Sequence, residues 1–159
     1  MPENAPIPDR VFELAPVLIY SRLAAVRAFA PWLGNAPIEL LHALRIEFKK
    51  LRYTVEYFRE VLGDEAKTVI DELKSLQDHL GDLNDAQVAS NIIRAFIDEC
   101  EPRQAMLPIH ERQNLEEVVN YLAFRLSERH RLMITFAKAW KRFSRAEFRR
   151  NLARAVGVL

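Results

Sequence analysis

His42, Arg45, Lys49 and Arg52 recur at spacings of three and four residues, and Tyr53 follows the last of them. On a helix each residue turns the side-chain direction by about 100°, so these four basic side chains fall within about 80° of one another, with Tyr53 at one edge of the arc. Leu44, Phe48, Leu51, Val55 and Leu62 occupy an adjoining apolar face. The result is a cationic ladder beside a core stripe, with charged tips repeating every 5 to 6 Å or about one turn. Like charges on one helical face repel by roughly a few tenths of a kcal/mol per neighbouring pair, which calls for a compensating partner. An extended phosphate polymer supplies one: Arg offers bidentate hydrogen bonds, Lys a compact charge, and His and Tyr further donors. The alternative is a solvated or internally paired face, with Glu56 four residues after Arg52 and Glu60 four after Glu56. Periodicity leaves both readings open.

Other basic residues extend or compete with this set. Lys50 projects about 80° from His42 and either widens the ladder or serves solubility. Arg125, Arg129, Lys138, Lys141 and Arg142 form an opposing wall for an anion if their helix turns that side inward. Arg145, Arg149, Arg150 and Arg154 form a more remote basic set, for which a solvated amphipathic end or a membrane-surface role is the competing reading. Arg22 and Arg27 do not share a helical face, so at most one joins a site. Gln77 and the pair Asn84 and Asp85 read as a buried amide hydrogen bond and a helix cap. Trp32 and Trp140 read as packing residues.

Metal and enzymatic chemistry find little support. Glu39 and His42 have the Glu-x-x-His spacing of helical di-iron sites. The positions three before His79, His110 and His130 hold Leu76, Leu107 and Ser127, so the second motif is missing. Only four glycines are present, and no Walker loop, dinucleotide fingerprint or nucleophile–base pattern occurs. The expectation is a non-enzymatic protein with no metal and no cofactor.

The elements that must position the ladder are helices. No alternating β-branched run is bounded by turn residues. Pro16 is the predicted opening of a first helix that Gly34 and Asn35 end. Pro37 fits the first turn of a second, which runs to Leu62 and stops at Gly63. Asp64 caps a third to about Leu80, closed by Gly81, and the segment from Gly81 to Asp85 reads as a tight turn into a fourth helix toward Cys100. Pro102 and Pro108 bracket a loop. A fifth helix follows from about Ile109 to Arg142, and Ser144 with Glu147 reads as a capping box for a basic terminal helix over 144–155. Short turns between long amphipathic helices predict an all-α, antiparallel up-and-down bundle.

Composition sets the frame for this reading. A chain of 159 residues, 50% hydrophobic and 28% charged, suits one globular domain over 1–159 with its principal bundle at 16–142. The net charge of +1 hides a segregation: twelve acids against four bases from Glu56 to Glu101, and ten bases against two acids from Arg125 to Leu159. Fields are local over a Debye length of about 8 Å, so the basic segments are where an anion belongs. Cys100 is the only cysteine, which excludes an internal disulfide and suits a reducing cytoplasm. The N-terminus, with Glu3 and Asp9, lacks a signal-peptide pattern, and the apolar stretch from Val11 to Val26 is interrupted by Glu13 and Arg22 and too short for a bilayer.

The run Leu41-His42-Ala43-Leu44-Arg45-Ile46-Glu47-Phe48-Lys49-Lys50-Leu51-Arg52-Tyr53-Thr54-Val55-Glu56 closely resembles the signature of the CHAD family, the conserved-histidine α-helical domains. The segment Leu76-Gln77-Asp78-His79-Leu80-Gly81-Asp82-Leu83-Asn84-Asp85 resembles that family's helix-turn segment. The resemblance implies a helical domain that binds inorganic polyphosphate, in some cases at polyphosphate granules, with His42, Arg45, Lys49, Arg52 and Tyr53 as its site. A full domain of this family has two related halves, each with its own basic helix; this chain has one, resembling the second half. That departure raises a homodimer that rebuilds the missing face. The competing classes are a nucleic-acid-binding helical domain, disfavoured by one tyrosine in the groove and no docking motif, and a structural self-association module.

Overall fold

A computed structural model describes residues 10–159; Glu3, Asp9 and the reading of the N-terminus lie outside the described residues. Among the described residues there are five α-helices: α1 Val11–Arg27, α2 Ile38–Tyr57, α3 Glu65–Ala105, α4 Glu116–Phe143 and α5 Ala146–Val156. Short 3-10 turns at Ala30–Asn35, Arg59–Val61 and Ile109–Glu111 lie in the first three connections, α5 follows α4 directly, and no strand occurs among the described residues. The all-α bundle of long helices is as the periodicity predicts.

The core forms because each helix carries one apolar stripe. Ala15, Ile19, Leu23 and Val26 of α1 meet Leu41, Leu44, Phe48, Leu51 and Val55 of α2, all buried at spacings of three and four. α3 is the central element and packs against α2, α4 and α5. Phe48 ties α2 to the end of α4, with ring centroids 6.0 Å from Trp140 and 5.3 Å from Phe143. Phe143 in turn lies 4.5 Å from Phe148 of α5. The Gly63 N–H donates to the Ala155 carbonyl at 2.8 Å and fastens α5 beneath the α2–α3 connection.

Several boundaries differ from expectation, the largest at Gly81. The predicted turn from Gly81 to Asp85 is absent, and α3 runs unbroken for 41 residues. Leu76, Leu80, Leu83, Ala86 and Ser90 stay buried straight through the glycine. Burial on that scale outweighs the helix propensity forfeited by one glycine, about 1 kcal/mol. Asn84 and Asp85 therefore cap nothing. Pro102 lies inside the last turn of the same helix rather than in a loop. α1 starts five residues before Pro16, which forfeits only its bond to the Phe12 carbonyl near the helix start. α1 ends at Arg27, α2 at Tyr57, and α4 begins only at Glu116. Ser144 ends α4 instead of capping α5, whose N-cap is Arg145 with no side-chain hydrogen bond, so the capping box does not form.

At about 1.5 Å per residue α3 spans about 60 Å, twice the length of α2. Its second half and the first half of α4 project beyond α1 and α2 as a two-helix hairpin. Burial records this: after Ser90, Ile97 is the one buried residue of α3, and α4 has none before Leu132. His79 sets the hairpin register, with Nε2 2.9 Å from the Leu132 carbonyl and 3.0 Å from the Thr135 hydroxyl.

Candidate functional site

The apolar stripe of α2 faces the core, so the ladder turns outward along the seam with α3. His42 and Lys49 are exposed; Arg45 and Arg52 are half-buried. Arg45 reaches across to α3 at Gly81, where an added Cβ would stand 3.6 Å from its Nε and 3.7 Å from a terminal nitrogen. Arg52 folds over Tyr53, its guanidinium carbon 4.8 Å from the ring centroid, and the Lys49 ammonium approaches the same ring at 5.6 Å. Tyr53 thus joins two of the basic side chains into one cluster by cation–π attraction.

Pairing of these charges is sparse. Among the described residues, no carboxylate lies within 4.0 Å of Arg45 or Lys49, and Arg52 has one loose contact, Nε to Glu56 Oε1 at 3.5 Å. The Nε atoms of Arg45 and Arg52 are buried and have no hydrogen-bond partner. Among the described residues their terminal nitrogens make no hydrogen bond to the protein either, so each guanidinium keeps donors free for an acceptor from outside. Lys50 differs: it points away and is held by Glu47 at 2.7 Å.

The α4 residues divide into two groups. Phe48 fixes Trp140 as the α2-facing side of α4, and on a helix Arg129 and Arg125 lie within about 20° and 60° of that direction. The same register puts Arg129 level with Pro37, about 8 Å past His42 along the α2 axis. Both arginines are half-buried with unpartnered Nε atoms, and Arg125 is also paired to Glu128 at 2.9 Å. Lys138 and Arg142 are about 160° away from Trp140 and face the opposite side. There they line a separate cleft of about 370 Å³ with Thr135, Ala139 and Arg145. Lys141 is exposed, roughly 100° round from Trp140. Near that cleft burial raises the pKa of Glu72, Arg142 opposes the rise, and Glu147 adds to it.

Three features escaped sequence reasoning. Gly81 serves as the floor under Arg45, which no local pattern announces. Gln77 is buried, yet its Oε1 has no hydrogen-bond partner, so the expected amide bond is absent. Tyr57, one turn beyond Tyr53, is 82% exposed; its spacing of four was the available signal. Trp140 packs in the bundle as expected, whereas Trp32 is 67% exposed. No group of His, Cys, Asp or Glu that could hold a metal ion occurs among the described residues, and no helix there is long and apolar enough to cross a membrane.

The family model described as CHAD domain matches residues 3–94, which spans the ladder helix and the seam residues of α3. No curated protein and no solved structure matches the chain.

Proposed function

The chain belongs to the CHAD domain family, and on that premise we propose that it binds inorganic polyphosphate, without converting it, along the α2–α3 seam. The observation that carries this reading is the half-buried pair Arg45, which no carboxylate meets, and Arg52, which has only a loose contact to Glu56, flanking the exposed Lys49. Phosphate oxygens accept from the terminal guanidinium nitrogens of this pair and from the Lys49 ammonium, and the polymer's repeat brings one anion to each turn of the helix. His42 and Tyr53 add hydrogen-bond donors at the ladder's edges. Arg129 and Arg125 prolong the path past the start of α2, while Lys50, Lys138, Lys141 and Arg142 stand outside it. The reading places the protein in the cytoplasm at polyphosphate granules, and a homodimer doubles the basic face.

The test is a polyphosphate titration of the wild type and of the triple variant Arg45→Gln, Lys49→Gln, Arg52→Gln. Glutamine keeps helix propensity, so the variant should remain folded by circular dichroism. Affinity should fall at least about a hundredfold, since three charge-assisted contacts are lost, and its dependence on salt should become shallower. Arg149→Gln with Arg150→Gln removes a similar charge from α5 and should matter far less. Wild-type affinity in the ladder variant, or an equal loss in the control, overturns the assignment. Competition with single-stranded nucleic acid of matched charge separates the nucleic-acid reading, and binding of neither polymer favours a structural self-association module.

A further inference from the structure

The ladder does not end in solvent: it runs into an aromatic groove. Leu14 and Leu18 of α1 with Tyr53, Thr54, Tyr57 and Phe58 line a cleft of about 420 Å³. That volume falls within the range of about 300–1,000 Å³ usual for small-molecule sites. Phe58 is buried and forms the floor; Tyr57 stands against it edge-on, with centroids 4.9 Å apart and ring planes at 88°, and remains 82% exposed. Tyr53 is shared, since Arg52 and Lys49 of the ladder gather on the same residue that lines the groove. Of the hydroxyls on its lining residues, that of Thr54 already donates to the Lys50 carbonyl at 2.8 Å, which leaves those of the two tyrosines. The groove therefore offers flat apolar faces and little hydrogen bonding, beginning within one helical turn of a phosphate-binding cation pair.

Resting on the polyphosphate reading of the ladder, we propose that this groove takes the base of a nucleotide whose 5′-phosphate chain lies on Arg52 and Lys49. An aromatic ledge tolerates any base, because every base has a π-face and stacking asks for no particular donor pattern. Continuity with the ladder selects this occupant over a purely apolar one: a flat ring that carries its own phosphates stacks on the tyrosine faces and fills both subsites, whereas a hydrocarbon without an anionic group leaves the cations unpaired. Tyr57 is the discriminating residue, since it touches the groove and not the ladder.

The experiment is calorimetric titration with inorganic tripolyphosphate, with adenosine triphosphate and with a single-stranded oligonucleotide, on the wild type, Tyr57→Ala and Tyr57→Phe. The exposed position of Tyr57 makes both variants safe for folding, checked by thermal melts. In Tyr57→Ala the affinity for adenosine triphosphate should fall by about tenfold, the scale for one stacked base, while the affinity for tripolyphosphate stays unchanged. Tyr57→Phe should bind both as the wild type does, and the upfield movement of the adenine proton resonances at saturation should be smaller in Tyr57→Ala than in the two proteins with a ring at position 57. Tripolyphosphate binding with no Tyr57-dependent preference for the nucleotide overturns the groove assignment and leaves the ladder standing. Tight oligonucleotide binding that depends on Tyr57, alongside weak adenosine triphosphate binding, reassigns the groove to a strand and overturns the proposal. If no phosphate compound binds, the ladder reading fails and this one with it.

Discussion

Arginine and lysine divide the tasks along α2. Arg45 and Arg52 lie half-buried against neighbouring surfaces, which a planar guanidinium tolerates because it is weakly hydrated, and Lys49 stays in water. Not every charged residue near the bundle is placed so favourably. Glu72 of α3 is half-buried, and burial raises its pKa more than the Arg142 attraction lowers it. A carboxyl whose folded-state pKa is raised contributes stability below its ordinary value of 4.5 and loses it as pH climbs through the folded value. Glu72→Gln should therefore raise the melting temperature at pH 7, and the gain should vanish as pH falls toward 4.5. The gain should be small, because solvent screens a carboxyl that is only partly buried. Thermal melts of both proteins across that range check it, and a gain that grows on acidification contradicts the assignment.

At the scale of elements, α3 shows what sequence reasoning reached and where it stopped. The helical period of α2 is legible because charged and apolar faces separate cleanly between His42 and Val55, and the ladder followed from that alone. α3 is different: Gly81, Asn84 and Asp85 carry every local sign of a turn, and only tertiary burial of Leu80, Leu83 and Ala86 keeps the helix continuous. Local chemistry cannot register packing against helices that lie forty or more residues away. For the same reason Arg125 and Arg129 could be named as candidates but not oriented, because their facing depends on the register set by His79 and Trp140. The glycine makes a sharp prediction. Its helical position and the 3.6 Å clearance to Arg45 accommodate a methyl group, so Gly81→Ala should stabilise the protein by about 0.5–1 kcal/mol in chemical denaturation and leave polyphosphate binding near wild type. Gly81→Leu should instead push the Arg45 guanidinium from its seat and lower the affinity. Equal affinity in the two variants would show that Arg45 does not need that floor.

The whole molecule is unbalanced in a way that points to a partner surface. Arg45 sits opposite Gly81 in the antiparallel α2–α3 pair, so Ile38, seven residues back on α2, is level with Val88, seven residues on along α3. Beyond Val88 the side of α3 that α2 had covered emerges bare, and it is apolar: Val88, Ile92 and Phe96 fall within about 80° of arc and are 46%, 64% and 48% exposed. Contiguous apolar surface on a projecting hairpin marks an interface. A second copy is the partner that uses no further sequence, and twofold packing of two hairpins would cover both patches at once. The patch begins where α2 begins, so such a dimer would bring the two His42 ends toward each other and let one polymer run from ladder to ladder. Light scattering at high protein concentration should give twice the mass of the chain. Ile92→Asp with Phe96→Asp should return it to the monomer while α2, α1 and the core stay folded. Polyphosphate long enough to span two ladders should then bind that variant more weakly than the wild type, with short polyphosphate unaffected. A strictly monomeric wild type removes the dimer, and a dimer whose disruption leaves long-chain binding unchanged removes the shared path while keeping each ladder as a site of its own.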